Sequence, residues 1–372
     1  MDWRRQQPRR GSAPPRRDDL SDWTFPLPPE VASLAERVTV CLNAGIWLEH
    51  FAGWEKRRGE LKRTEQTDRR ERIVRAFDQN EASRLLKLSK TVGVSETGAQ
   101  IKAQLQQLSN LLNAYKTRWE AMLNDYDRHG YEVKQFPMYS ASRVIVGLGA
   151  ESVLETSVRL HRVYGFPIIP GSALKGLARS YALWQIAERL GVPALSPKDV
   201  AAREEARKST PIQKLGAYLD EPDESRRAQL LDDLKQDEAI PSSATLRKLD
   251  FAAVEESTKS LRLAFGTIGS AGKLIFFDAV PANSTNLKLD LDVMNPHYSD
   301  YYRGGNTPPA DYLNPMPIFF LTIAPGSEFL FAIASKDPAL AEQAQAWLQA
   351  GLKEMGIGAK TTSGYGLWET RS

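Results

Sequence analysis

Two glycine-bounded segments hold the side chains best suited to chemistry with an anion. Residues 356–366, Gly-Ile-Gly-Ala-Lys-Thr-Thr-Ser-Gly-Tyr-Gly, place four glycines in 11 residues. Glycine opens backbone conformations closed to other residues and lets a second chain come close. Lys360 adds a cation, and Thr361, Thr362 and Ser363 add three hydroxyls, a set suited to phosphate or ribose oxygens. Two nucleotide motifs fail here. The dinucleotide fingerprint needs glycine where Thr361 stands and should follow a strand, and the Walker loop needs glycine where Ala359 stands. A plain turn is the alternative reading.

The second segment, Gly171-Ser-Ala-Leu-Lys-Gly176, opens a helix expected to run to about Leu190. Amides at a helix N-terminus bind anions. Ser172 is placed to cap this helix, and Leu174, Leu177 and Tyr181 fall on its apolar side. Lys175 and Arg179 lie about one turn apart, so both can reach neighbouring phosphates. The same residues also describe a capped helix with two solvated cations. Arg143 and Arg162, on strands expected before this helix, either extend the positive edge or face water.

Catalytic constellations are thin. His50, His129, His161 and His297 show no metal-ligand spacing, and the single cysteine, Cys41, permits neither an internal disulfide nor a cysteine zinc cage. His161 and His297 are candidates for a general base, and Asp300 for a metal-assisted step, but none belongs to a set. No catalytic residue, metal or cofactor is therefore expected. Tyr298, Tyr301 and Tyr302 beside Arg303 suit either base stacking, at roughly 1–3 kcal/mol each, or packing.

The elements that must position these residues read as follows. Residues 1–28 hold six Arg and five Pro and read as a flexible basic arm. Residues 29–130 read as helical, with Ile101, Leu105, Leu108, Leu111, Leu112, Tyr115 and Trp119 on one face. Residues 55–90 carry 12 basic and seven acidic side chains, a solvated face or a positive surface. From 131 to 372 a core of strands and helices is expected. Strands are expected at 143–149, 158–164 and 273–280, and 316–324 and 328–334 should pair as a hairpin around Pro325-Gly-Ser. A helix is expected at about 338–355, where Gly351 lets a neighbour pack close, with a final strand after the glycine loop. Residues 195–262, with 12 basic and 14 acidic side chains, read as a charged helical insertion. The order strand, helix, hairpin, helix, strand is the α+β, ferredoxin-like (RRM-like) arrangement. It makes the first and last strands antiparallel neighbours, so the helix start and the glycine loop border one groove.

Composition sets the limits. The 372 residues are 42% hydrophobic and 26% charged, with 49 Lys+Arg against 46 Asp+Glu for a formal net charge of +3. That excludes global disorder and a histone-like polycation, and it leaves any nucleic-acid contact to local patches. No apolar run reaches the roughly 20 residues a membrane span needs. The start, Met-Asp-Trp-Arg-Arg, lacks the apolar region of a signal peptide. Together with the lone cysteine, this reads as a cytoplasmic protein with no membrane partner.

Gly171-Ser-Ala-Leu-Lys-Gly176 and the terminal glycine loop resemble the two hallmarks of the RAMP superfamily of CRISPR-associated RNA-binding proteins. Ser142-Arg-Val-Ile-Val-Gly-Leu-Gly149, Leu154-Glu-Thr-Ser157, Leu160–Pro170, Phe265-Gly266, Phe277-Asp-Ala279 and Asp292–Tyr298 narrow the likeness. They resemble the family of sixth subunits of Cmr (type III-B) effector complexes. The resemblance is dense over 138–184 and 265–367. It implies a ferredoxin-like RAMP core with large helical insertions. It also implies a non-catalytic backbone subunit of an antiviral ribonucleoprotein that grips guide RNA (crRNA) near its 3′ end. The implied partners are guide and target RNA, the adjacent RAMP backbone subunit, the small helical subunit and the other terminal RAMP subunit. By carry-over, Ser172, Lys175, Arg179, Lys360, Thr361, Thr362 and Ser363 contact guide RNA. Ala173 departs from the serine usual in the family at that place. A structural cap with little RNA contact and a guide-processing RAMP endoribonuclease are the competing readings.

Overall fold

A computed structural model describes residues 23–24, 54–57, 60–63, 98–149, 158–295 and 318–371. Outside these lie the rest of the basic arm, Cys41, His50, most of the 55–90 charged stretch, residues 154–157, His297, Asp300 and the Tyr298–Arg303 cluster. Three short strands, β1 (Trp23–Thr24), β2 (Trp54–Arg57) and β3 (Glu60–Arg63), form an antiparallel sheet. This corrects the helical reading of 54–63 and the unstructured reading of 23–24. Only two residues separate β2 from β3, one of them Gly59, which favours a hairpin.

The 31-residue helix α1 (Gly98–Arg128) buries Leu112, Trp119 and Leu123. Leu111, expected on the same face, is exposed, because a stripe at period 3.6 cannot hold two consecutive positions equally. Strand β4 (Glu132–Ser140) follows, with Phe136, Met138 and Ser140 facing the core. The next helix along the chain is α2 (Gly171–Leu190).

Five helices come next: α3 (Pro197–Glu205), α4 (Pro211–Asp220), α5 (Glu224–Lys235), α6 (Thr245–Lys248) and α7 (Phe251–Phe265). Their starts are written in the sequence. Ser196, Thr210, Asp223 and Asp250 accept amides of the first turn, and Pro197 and Pro211 stand at the first helical position. Leu215, Tyr218, Leu231, Leu234, Val254 and Leu261 join the core that buries α2. Beneath them, the Asp237 carboxylate receives Arg203 at 2.6 Å and Lys214 at 2.6 Å.

The remaining strands are β5 (Gly266–Thr267), β6 (Ser270–Ala271), β7 (Ile275–Phe276), β8 (Val280–Pro281), β9 (Leu289–Met294), β10 (Ile318–Ile323), β11 (Glu328–Ser335) and β12 (Trp368–Glu369). Helix α8 (Pro338–Glu354) lies between the last two. The main sheet is antiparallel in the order β12–β4–β11–β7, with β8 also paired to β11. Residues of β11 alternate between two cores. Phe329, Phe331 and Ile333 join the core of α2 and α8, while Leu330, Ala332 and Ala334 meet Trp119 and Leu123 of α1. Cover on both faces explains why this strand is a continuous apolar run. It also leaves loops and helix ends, rather than an open sheet face, to meet a ligand. Gly351 packs against Leu177 and Tyr181, the close approach its sequence suggested. No helix among the described residues is long and apolar enough to cross a membrane.

Four strand expectations are corrected. Residues 143–149 form no strand and make one β-bridge, Val144 to Ile323, and residues 158–164 likewise make one, Leu160 to Pro167, and end in a turn. The stretch expected as a strand over 273–280 is broken into β7 and β8, because Ala279 pairs with Ile169 and Asp278 turns toward α2. Strands β10 and β11 flank the expected turn but do not pair. β10 pairs with β9 and β11 with β4. The turn's own groups go to Ser140 instead: Gly326 N–H donates to Ser140 O at 2.7 Å and Ser327 N–H to Ser140 Oγ at 3.0 Å.

Candidate nucleic-acid interface

The glycine loop is fastened to residues 143–146 by backbone alone. Ala359 N–H donates to Ile145 O at 2.8 Å and Gly366 N–H to Arg143 O at 2.8 Å. A Cβ on Gly358 (φ +103°) would lie 2.0 Å from Ile145 O, so only glycine fits. Lys360 takes a left-handed conformation (φ 61°), and Thr361–Ser363 form one 3₁₀ turn. Thr362 and Ser363 are exposed, Thr361 is half-buried, and the Lys360 ammonium sits 5.5 Å from the Phe320 ring centroid.

Residues 143–146 then connect to the turn carrying Arg162. Arg159 N–H donates to Val146 O at 2.6 Å, and Ile168 N–H donates to Arg159 O at 3.3 Å. Arg162 is exposed and makes no ion pair among the described residues. Beside it His161 accepts the Val163 and Tyr164 amides on Nδ1, at 3.2 and 3.3 Å. Burial lowers its pKa, and Arg118 adds to that while Asp278 opposes it. Tyr115, Tyr164 and Phe166 surround the ring. This histidine is tied into its own turn.

From there the chain enters α2. Pro170, not Ser172, is the N-cap, and no side chain caps the helix in the usual way. Ser172 is corrected to an exposed residue of the first turn. The Gly171 amide donates to Asp278 Oδ1 at 2.7 Å, and a Cβ at Gly171 would lie 2.2 Å from Phe276 O. So the helix start is wedged against the break between β7 and β8, with a carboxylate already on its first amide. Lys175 is half-buried and makes no ion pair among the described residues. Arg179 donates to Asp220 Oδ1 at 2.6 Å.

Arg143 is also engaged. Its guanidinium lies 2.7 Å from Asp290 and 3.5 Å from Asp292, and Tyr365 O–H donates to Asp292 Oδ2 at 2.7 Å. Burial first, then this carboxylate, raises the Tyr365 pKa. The structure thus strings all nine candidate residues along one set of linked backbone segments. Among the described residues no hydrogen bond or ion pair joins one candidate side chain to another. The sequence reading missed the four carboxylates, Asp220, Asp278, Asp290 and Asp292. Asp278 and Asp292 stood in the motifs of the family resemblance and Asp220 in the charged 195–262 block, but their spacing carried no sign of the pairing.

A family model for the RAMP superfamily matches residues 139–369. The Cmr subunit Cmr6 of the Pyrococcus furiosus CRISPR system is 37% identical over 231 residues, 60% of this chain and 64% of that protein. The match therefore spans less than two thirds of the relative's length. The crystal structure of Cmr6 from Pyrococcus furiosus aligns at TM-score 0.40 and 32% identity, over 65% of this chain and 99% of that one. A cryo-EM structure of the type III-B Cmr-beta bound to cognate target RNA aligns at TM-score 0.44 and 18% identity, over 75% of this chain and 76% of that one. With the family match running from the end of β4 through β12, well over half of the sequence, the chain belongs to the RAMP superfamily.

Proposed function

We propose that this protein is a non-catalytic, RNA-binding backbone subunit of a type III-B CRISPR ribonucleoprotein, gripping guide RNA near its 3′ end. Its partners are guide and target RNA and neighbouring Cmr subunits, in the cytoplasm. The observation that carries the reading is the glycine loop. It is clamped by backbone bonds to Arg143 and Ile145 while Thr362 and Ser363 are exposed and Lys360 is half-buried beside them. A rigid, side-chain-poor backbone with one cation and free hydroxyls suits a phosphodiester chain, whatever its sequence. Lys175, Arg162, Ser172 and Thr361 extend the surface, and Arg143 and Arg179 join it when released from their carboxylates.

The ferredoxin-like core is part of this proposal. The order β12–β4–β11–β7, with α2 after β4 and α8 after β11, supports it. On that reading residues 131–372 form the core and 195–262 an insertion, with the 29–130 region and 1–28 arm preceding them. The non-catalytic reading draws on His161, whose Nδ1 is committed to backbone amides and has no free lone pair there to accept a proton.

The test is fluorescence anisotropy of the full chain with single-stranded RNA across a salt series. Lys175→Ala is expected to weaken binding equally for unrelated sequences and to shallow the salt slope by about one phosphate. An unchanged slope removes Lys175 from the interface. A second reading, a structural cap with little RNA contact, is favoured by the ion pairs that hold Arg143 and Arg179. Assembled complexes in which this chain gives no RNA crosslinks would support it.

A further inference from the structure

Asp220 is the last residue of α4, and no basic side chain stands in that helix's last turn. A carboxylate there faces the negative end of the helix dipole and is locally unfavourable. What offsets it is Arg179 of α2, 2.6 Å away. Both side chains keep contact with water, at 29% and 47% exposure, so the pair is weak enough to exchange. Lys175, one turn nearer the start of the same helix, is unpaired among the described residues. The Asp220 carbonyl meanwhile accepts the Ile268 amide at 3.5 Å. The β5–β6 hairpin thus meets the Asp220 backbone and not the carboxylate, which is held by Arg179.

We propose that Asp220 is a specificity-determining residue of this anion site, holding Arg179 where a phosphate would and yielding it only to a ligand that also engages Lys175. The proposal rests on the RNA reading above and adds selectivity to it. An isolated carboxylate arriving at Arg179 replaces one carboxylate by another and gains nothing. A phosphodiester chain spans both cations, and its second contact offsets the displaced Asp220. Selectivity arises here from an intramolecular competitor, a repulsive device.

The test is a double-mutant cycle on the full chain, read by anisotropy with labelled single-stranded RNA and with a labelled peptide carrying a single carboxylate. Asp220→Asn is expected to tighten RNA binding about two- to five-fold, the range an exposed ion pair spans. It should tighten the single-carboxylate peptide by a larger factor, so the preference for RNA falls. In an Arg179→Ala background, Asp220→Asn should change neither. Equal gains with and without Arg179 would reduce Asp220 to general repulsion and overturn the proposal, as would an unchanged RNA preference. Thermal melting of each variant confirms folding, and the isosteric Asn keeps the helix end intact. If the unsubstituted chain binds no RNA at any salt concentration, the RNA reading falls and this proposal with it. If it binds RNA and Asp220→Asn is silent, this proposal falls alone.

Discussion

Arg143 grips Asp290 with two nitrogens on one oxygen, Nη2 at 2.7 Å and Nε at 3.0 Å from Oδ2. Its own carbonyl meanwhile receives the Gly366 amide. One residue thus fastens strand β9 by its side chain and the glycine loop by its backbone. Both side chains are about 40% exposed, so the ion pair is screened. Arg143→Ala should cost only about 0.2–1 kcal/mol of stability, read by urea denaturation. The loop should stay seated, because the backbone bond survives.

Gly358 is a harsher test of the same loop. Gly358→Ala places a methyl 2.0 Å from Ile145 O at a positive φ. The expected loss is about 1–3 kcal/mol, measured by denaturant unfolding, together with weaker RNA binding as Lys360 and Ser363 shift. Stability equal to the parent would mean that the loop is not clamped as described.

Trp368 of β12 is wedged edge-on between Phe329 and Phe331, at 5.4 and 5.2 Å between centroids. Its Nε1 is buried without a hydrogen-bond partner among the described residues. Trp368→Ala should cost about 3–5 kcal/mol. Trp368→Phe should cost much less, because it removes an unmade hydrogen bond worth about 1–3 kcal/mol along with the lost area. Melting curves of the two variants separate these contributions.

Asp237 makes acid stability specific. Burial alone would raise its pKa, but hydrogen bonds from Arg203, Lys214 and the Ala239 amide hold it well below the ordinary carboxylate range. A depressed folded pKa means that the stabilisation is present above the unfolded value, near pH 4. It is lost as pH falls toward the folded value. Asp237→Asn should therefore melt lower than the parent at neutral pH, and the gap should narrow only in strongly acidic buffer. A gap that closes by pH 5 would refute the assignment.

What the sequence made legible follows from how local each cause is. Helices α2 and α8 were readable because Leu174, Leu177 and Tyr181, or Leu340, Ala344 and Leu348, repeat at helical spacing. Strand β4 was not, since Pro137 sits inside it and proline argues against a central strand. The exception has a reason. β12 pairs only with Tyr139 and Ser140, so beside Pro137 the sheet has a partner on one side only. Val144-Ile-Val146 read as a strand because burial selects β-branched residues whatever hides them, and here the glycine loop covers Ile145. The cations of the candidate site were visible. Their carboxylates were not, because Arg143 and Asp290 stand 147 positions apart, and Arg179 and Asp220 stand 41 apart.

Ser140 and Ser327 meet across 187 positions, whereas among α3–α7 two ion pairs close over 34 and 28 positions and the Tyr218–Glu255 hydrogen bond over 37. Short closures lose less chain entropy and are reached sooner. The molecule's history is thus written in these separations. The charged helices gain protection early, and β4 waits with its apolar side uncovered until β11 arrives. Pulse-labelled hydrogen exchange during refolding should find the α3–α7 amides protected before those of β4. That interval is when this chain is most exposed to self-association.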